Sequence, residues 1–295
     1  MFLLKHVDIP GVDRKAVQTQ VLDTIFGANM SPVYERVCGE LGLPVDPSRL
    51  SSMRDANSKR LNELEAKVVD AQENHGETEV REALLAKADY LASIGDLAAA
   101  LEAFRVTEEK TVALGQKMDI VFSVLRLGIL FEDWRLVRQR IADAKKMFEE
   151  GADWERKNRL KVYEAVLLMV LRKFKEAARL FLDSIATFTS TELMTYEQCV
   201  FYCVTTSLVS LERVELRKRV IDSPEILSVI DRLPNLGPLI NSLYRCEYSQ
   251  FFQSLAAFSD SLRSDAYLYP HFRYYLREVR VAAYVQFLES FKSVR

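Results

Sequence analysis

Apolar positions along this chain recur every three or four residues, the interval of one face of an α-helix, and rarely alternate as a strand would. The stripe Leu50, Met53, Asn57, Leu61, Leu64, Val68, Ala71 predicts one long helix over about 46–73. Asn57 is its polar interruption. The rest of that segment is dense in charge, including Arg60, Glu63, Glu65 and Lys67. Such a helix could pair with a partner helix, but one stripe suffices for packing within the chain, and that is the expectation. Upstream, Pro32, Pro44 and Pro47 surround a short helical piece over 33–41, and residues 1–28 carry only weak signals.

From about Thr78 the pattern becomes one of paired helices. Ala88 and Leu91 fall on a first helix, Gly95-Asp96 makes a turn, and Ala100 and Phe104 fall on a second. This is the layout of a tetratricopeptide repeat, with small residues where two helices touch and a bulky plug beyond. A small side chain at Ala88 lets the second helix come near, and Phe104 fills the groove toward the next pair. One degraded copy has Gly128, Phe131, Trp134 at the turn, then Val137, Ile141 and Ala144. Another has Ala165, Leu168, Phe174, then Ala177 and Phe181. Ala100, Val137 and Ala177 lie 37 and 40 residues apart, slightly more than the ~34 of the strict repeat. The expected fold is all-α, a right-handed tetratricopeptide-like solenoid. Its expected packing residues are Ala88, Leu91, Ala100, Phe104, Ala165, Leu168, Ala177 and Phe181.

Beyond about Ser190 the repeats lose clarity while helices continue. Helices are expected over 196–211 and 215–220, and one beginning at Pro224 with Ser223 as its cap. Pro234 and Pro238 should bound a turn, followed by aromatic-rich helices over 248–262 and about 272–293. The stretch Tyr284–Phe291 stays apolar on one side, as though something remains to cover it.

Composition agrees with helices. The chain of 295 residues has only 10 glycines and 8 prolines, and no Asn-Gly, Asp-Gly or Gly-Gly pair for tight hairpins. With 49% hydrophobic and 28% charged residues it reads as a folded domain. Forty basic against 42 acidic residues give a net charge of −2, no general drive toward nucleic acid. The longest apolar run, Ala165–Leu171, has seven residues, against the ~20 that cross a bilayer. The N-terminus lacks the apolar core of a signal peptide. Four cysteines suit a reducing compartment, cytoplasmic or nuclear.

The search for chemistry returns little. The three histidines, His6, His75 and His271, stand far apart, so no zinc-hydrolase pair forms. No Gly-rich phosphate loop occurs, and Gly39-Glu-Leu-Gly42 reads as a helix-ending turn. Cys199 and Cys203 are one helical turn apart and read as buried thiols rather than metal ligands. No catalytic, cofactor-binding or metal-ligating residue is assigned, no cofactor is expected, and the chain is not expected to be an enzyme. Two basic clusters remain, Arg135, Arg138 and Arg140 after Trp134, and Arg156, Lys157, Arg159 and Lys161 after Trp154. Interleaved Glu132, Asp133, Asp153 and Glu155 favour a solvated helix face, with protein partners the next reading and nucleic acid the last.

Particular strings then carry a resemblance. Gly151-Ala-Asp-Trp-Glu-Arg-Lys-Asn-Arg-Leu-Lys-Val-Tyr163 is similar to a segment of the 26S proteasome non-ATPase regulatory subunit 6 family. So are Lys87-Ala-Asp-Tyr-Leu91, Lys110-Thr-Val-Ala-Leu-Gly115, Met118-Asp-Ile-Val-Phe122, Phe188-Thr-Ser190, Tyr248-Ser-Gln-Phe-Phe-Gln-Ser-Leu255 and Pro270-His-Phe-Arg-Tyr-Tyr-Leu-Arg-Glu278. The likeness runs in order from about Asn29 to the last residue. A paralogous signalosome subunit shares the Pro-His-x-Arg stretch but lacks the Asp-Trp-Glu-Arg segment. The resemblance implies a non-catalytic scaffold of the proteasome lid, with helical repeats leading into a PCI domain. It implies a division into 1–45 (short helices), 46–75 (long helix), 76–190 (repeats) and 191–295 (helical part of the PCI domain). In the family a winged helix follows, and this sequence stops before it, as a shortened form would. Implied partners are other PCI lid subunits and ATPase-ring subunits, with no nucleic acid, no membrane and no obligate homo-oligomer. Trp154, Arg156, Arg159, Pro270, His271 and Arg273 are the candidate partner contacts. The rival readings are a PCI scaffold of the signalosome or translation-initiation machinery, and an RNA-associated PCI module using the basic clusters.

Overall fold

A computed structural model describes residues 2–6, 9, 11–149, 151 and 153–289. Among these the secondary structure is helical, with no strand. The chain divides into two compact units, Met1–Ala152 and Asp153–Arg295. The division falls inside the stretch 76–190 that the sequence reads as one array.

The first unit contains α1 (Phe2–Lys5), α2 (Arg14–Gly27), α3 (Ser31–Leu41), α4 (Pro47–Asn74), α5 (Glu77–Ile94), α6 (Leu97–Lys110), α7 (Leu114–Leu130) and α8 (Trp134–Glu149). Two helices thus occupy the weakly patterned first 28 residues. The Asp13 carboxylate caps α2, accepting from the N–H groups of Lys15 and Ala16. The long helix α4 starts where Asp46 accepts from the N–H groups of Ser48 and Arg49, with Pro47 in its first turn. Met53, Asn57, Leu64, Val68 and Ala71 of its stripe are buried, and Leu50 and Leu61 half-buried. Asn57 is fully employed. Its amide nitrogen donates to the Asn29 carbonyl (2.9 Å) and Ser31 Oγ (3.0 Å), and its amide oxygen accepts from the Tyr90 hydroxyl (3.0 Å). The interruption in the stripe therefore joins α4 to the α2–α3 turn and to α5.

The second unit contains α9 (Trp154–Val170), α10 (Phe174–Ser184), α11 (Tyr196–Leu208), α12 (Arg213–Leu216), α13 (Pro224–Leu227), α14 (Leu236–Tyr244), α15 (Tyr248–Ser264) and α16 (Phe272–Leu288). Its core is rich in aromatics, with Phe181, Phe251, Phe258 and Tyr275 among its largest buried side chains. The Tyr275 hydroxyl donates to the Thr205 carbonyl at 2.8 Å, which satisfies its one polar atom inside that core.

Several local expectations change here. A capping box of Thr195 and Gln198 starts α11, which ends at Leu208 rather than 211. The helix expected over 215–220 is instead α12 followed by a turn of π-helix over Arg217–Ile221. Pro224 does open α13, but the Ser223 hydroxyl donates to the Glu225 carboxylate (2.7 Å) and caps no backbone N–H. Pro238 sits inside the first turn of α14 rather than at a turn boundary. A proline there forfeits no intrahelical bond. α16 ends at Leu288 with Glu289 in a turn, and positions 290–293 of the expected 272–293 helix, with Phe291, lie outside the described residues.

One backbone device closes the helix pairs in both units. In α5–α6 the Asp96 N–H bonds the Leu91 carbonyl (3.1 Å) and Gly95 adopts φ +78°. In α7–α8 Asp133 bonds Gly128 (2.8 Å) around Glu132 at φ +59°, and in α9–α10 Lys173 bonds Leu168 (2.8 Å) around Arg172 at φ +62°. This is the Schellman closure, which satisfies carbonyls left over at a helix C-terminus. The same closure recurs where periodicity shows no pair: at α2–α3 around Asn29 and at α14–α15 around Cys246. Gly95 is needed twice over, because a Cβ there would also lie 2.2 Å from Val33 Cγ2 of α3.

Candidate interaction surfaces

The repeat-packing positions face inward. Ala88, Ala100, Phe104, Ala165, Ala177 and Phe181 have no exposed surface, and Leu91 is buried. Leu168 is only half-buried. α9 is covered over a broad arc, with Val166, Leu167 and Met169 all buried, and Leu168 lies at the edge of that arc. Gly128 supplies a close approach, since a Cβ there would lie 2.8 Å from Val137 Cγ2.

The two basic clusters are partly spent. Arg140 donates to Glu108 (3.1 Å) between α8 and α6, while Arg135 and Arg138 are exposed. Arg159 donates through Nε (3.2 Å) and Nη2 (2.8 Å) to Glu192 Oε1, which also accepts from the Tyr163 hydroxyl at 3.0 Å. Asn158 is buried and donates to Thr187 Oγ1. The segment after Trp154 thereby ties residues 187–192 to α9. Glu192 was not a sequence candidate, yet it is the only charged residue between Ser184 and Thr195, and that isolation is the signal available. Arg156 pairs with Asp153 at 3.5 Å. Trp154 is 62% exposed.

The Pro-His-x-Arg stretch has a similar internal use. His271 Nε2 lies 2.8 Å from the Val170 carbonyl, and Arg172 Nε donates to His271 Nδ1 at 3.2 Å. Only the neutral Nε2–H tautomer serves both contacts. Burial, with the Arg172 charge nearby, holds the imidazole below the usual histidine range, although the bond to Val170 works the other way. Arg172 also lies over the Tyr274 ring, 4.9 Å from its centroid. The strained turn residue of α9–α10 thus fastens the start of α16. Pro270 and Arg273 are exposed.

Burial pushes the Cys199 thiol up to about 12 and raises Cys203 as well, so neither supplies a thiolate at neutral pH. Among the described residues no group of three or more His, Cys, Asp or Glu could hold a metal ion, and no helix is long and apolar enough to cross a membrane. The second unit keeps a broad apolar exposure: Val281, Tyr284, Val285, Phe287 and Leu288 on the last turns of α16. A cavity of about 320 Å³ opens on one flank against Tyr248 and Phe252. One of about 520 Å³ opens on the other, against Leu208, Leu211 and Leu243.

Stacked helix pairs, closed by the same turn and leaving apolar side chains of α16 outside, define an all-α helical-repeat protein. A family model described as 26S proteasome subunit RPN7 matches residues 46–219. The chain is 52% identical over 294 residues to a 26S proteasome non-ATPase regulatory subunit 6 homolog of Arabidopsis thaliana, covering all of this chain and 76% of that protein. It is 47% identical to the Dictyostelium discoideum 26S proteasome non-ATPase regulatory subunit 6, covering 99% of this chain and 77% of the relative. It is 33% identical to the Saccharomyces cerevisiae 26S proteasome regulatory subunit RPN7, covering 99% and 74%. The chain belongs to the 26S proteasome subunit RPN7 family.

Proposed function

We propose that the chain is a non-catalytic scaffold of the proteasome regulatory particle lid, working in ubiquitin-dependent protein degradation. Its partners on this reading are other PCI lid subunits and ATPase-ring subunits, met in the cytoplasm and nucleus, and residues 191–295 form the helical part of a PCI domain. Family membership carries the reading. The mechanism is geometric: packed helix pairs hold long surfaces at fixed spacing, so that several partners are placed relative to one another. Assemblies of this permanence commonly bury more than ~2,000 Å² per interface, and the apolar turns of α16 offer surface of that kind. The test is co-expression with the other lid subunits, followed by native gel and mass spectrometry. Incorporation at unit stoichiometry is the expected result. A chain that folds, as judged by circular dichroism, yet never joins a lid assembly would overturn the reading.

A further inference from the structure

The cationic cluster at the start of α9 divides cleanly. Arg156 is engaged by Asp153 and Arg159 by Glu192. Lys157 and Lys161 form no ion pair among the described residues. These two lie three and seven positions after Trp154, on the same face of the helix. Of the two exposed carboxylates beside Trp154, Asp153 is engaged by Arg156, and Glu155 projects about 100° around the helix from Trp154. At 62% exposed, Trp154 presents a large indole to solvent at the head of this row. Isolated apolar residues at a surface are ordinary, but an indole offers much contact area for little lost freedom and dominates binding where it occurs. An indole flanked on one side by two unmatched ammonium groups suits a particular partner: an apolar side chain to cover the ring and carboxylates to meet the lysines.

We propose that Trp154, Lys157 and Lys161 form a docking site for an acidic segment of another protein, in which an apolar residue covers the indole and Asp or Glu side chains pair with the lysines. The site rests on the scaffold reading, and the segment belongs to a neighbouring subunit of the assembly. Nucleic acid fits less well, because two cations neutralise too few phosphates for useful affinity in a chain of net charge −2.

Hydroxyl-radical footprinting of the full chain, free and within the co-expressed assembly, reads the peptide containing Trp154 directly. Oxidation of Trp154 should fall at least about five-fold on assembly. Carbodiimide, which joins amines to carboxylates in direct contact, should link Lys157 or Lys161 to an Asp or Glu of another subunit. Lys157→Glu with Lys161→Glu should reduce incorporation about ten-fold, while the paired Lys→Arg variant retains it. Circular dichroism melts of both variants should match the parent, because neither lysine packs in the core. Assembly with Trp154 oxidised as fast as in the free chain overturns this site and leaves the scaffold reading standing. Protection without a carboxylate link overturns the acidic partner. Protection of Trp154 by a single-stranded oligouridylate overturns the protein partner. A chain that never assembles removes both the scaffold reading and this site.

Discussion

The pairs α5–α6 and α14–α15 reverse the chain through the same Schellman closure but join their helices with opposite kinds of side chain. In α5–α6 the positions flanking the turn are Ala88 and Ala100, so bulk is withheld and the plug, Phe104, comes one turn later. In α14–α15 the residues at the same distances from the turn are Leu239 and Phe251, both fully buried. The backbone device therefore does not require the small residues that make a repeat recognisable. It requires one residue at positive φ, whose cost for a side-chain-bearing residue is ~1–2 kcal/mol, with enough packing around it to outweigh that cost. Glycine meets the requirement at 95, and cysteine is forced into it at 246.

The comparison can be broken at the buried rings first. Phe104→Ala and Phe251→Ala should each cost about 3–5 kcal/mol in a denaturant melt, since both rings are fully enclosed. A cost near zero for either would show that its helix pair is not held there. At the turns, Gly95→Ala combines the positive-φ penalty with the clash against Val33 and should cost about 3 kcal/mol. Asn57→Leu should cost about 1–3 kcal/mol by stranding the Tyr90 hydroxyl and the polar groups of the α2–α3 turn. Urea unfolding with Tyr90→Phe as the companion variant separates the two contributions.

His271 gives a pH test confined to the second unit. Its folded pKa lies below the ordinary histidine value of about 6.5, so the unfolded chain binds the proton more readily. The contribution of the neutral ring is complete above that unfolded value and is lost as pH falls toward the folded one. The melting temperature should drop between pH 7 and pH 5, and less so in His271→Gln. An equal drop in that variant would exclude His271 as the source. The smallest effect is a gain: Glu132→Gly should stabilise α7–α8 by about 0.5–1 kcal/mol, because Glu132 is exposed and sits at φ +59°. If thermal melts show a loss instead, the side chain contributes more than its backbone strain removes.

Much of this fold is legible in the sequence because particular residues act locally. The α4 stripe, with Asp46 and Pro47 ahead of it, marks that helix to within a residue at each end. The pair α5–α6 is legible because Gly95 and the alanines are chemically distinctive. The pairs α2–α3 and α14–α15 are not, since an asparagine such as Asn29 marks a turn less sharply than glycine, Cys246 announces none, and Phe251 occupies a place where the pattern looks for a small residue. The candidate contacts divide on similar grounds. Arg159 and His271 look like surface groups until their partners Glu192, Val170 and Arg172 arrive from distant parts of the chain. Identity shows in a string such as Asp-Trp-Glu-Arg, but which of its charges is already spent shows only in three dimensions.

The contact between His271 and Val170 bridges 101 residues, and this sets an order of events during synthesis. The second unit cannot close until α16 has left the ribosome, so α9 and α10 spend most of the unit's translation with the ends of their helices uncovered. The α5–α6 and α7–α8 pairs join neighbours in sequence and can form as they emerge. A nascent chain halted before His271 should therefore hold a folded first unit beside a second that is still open to chaperones and proteases.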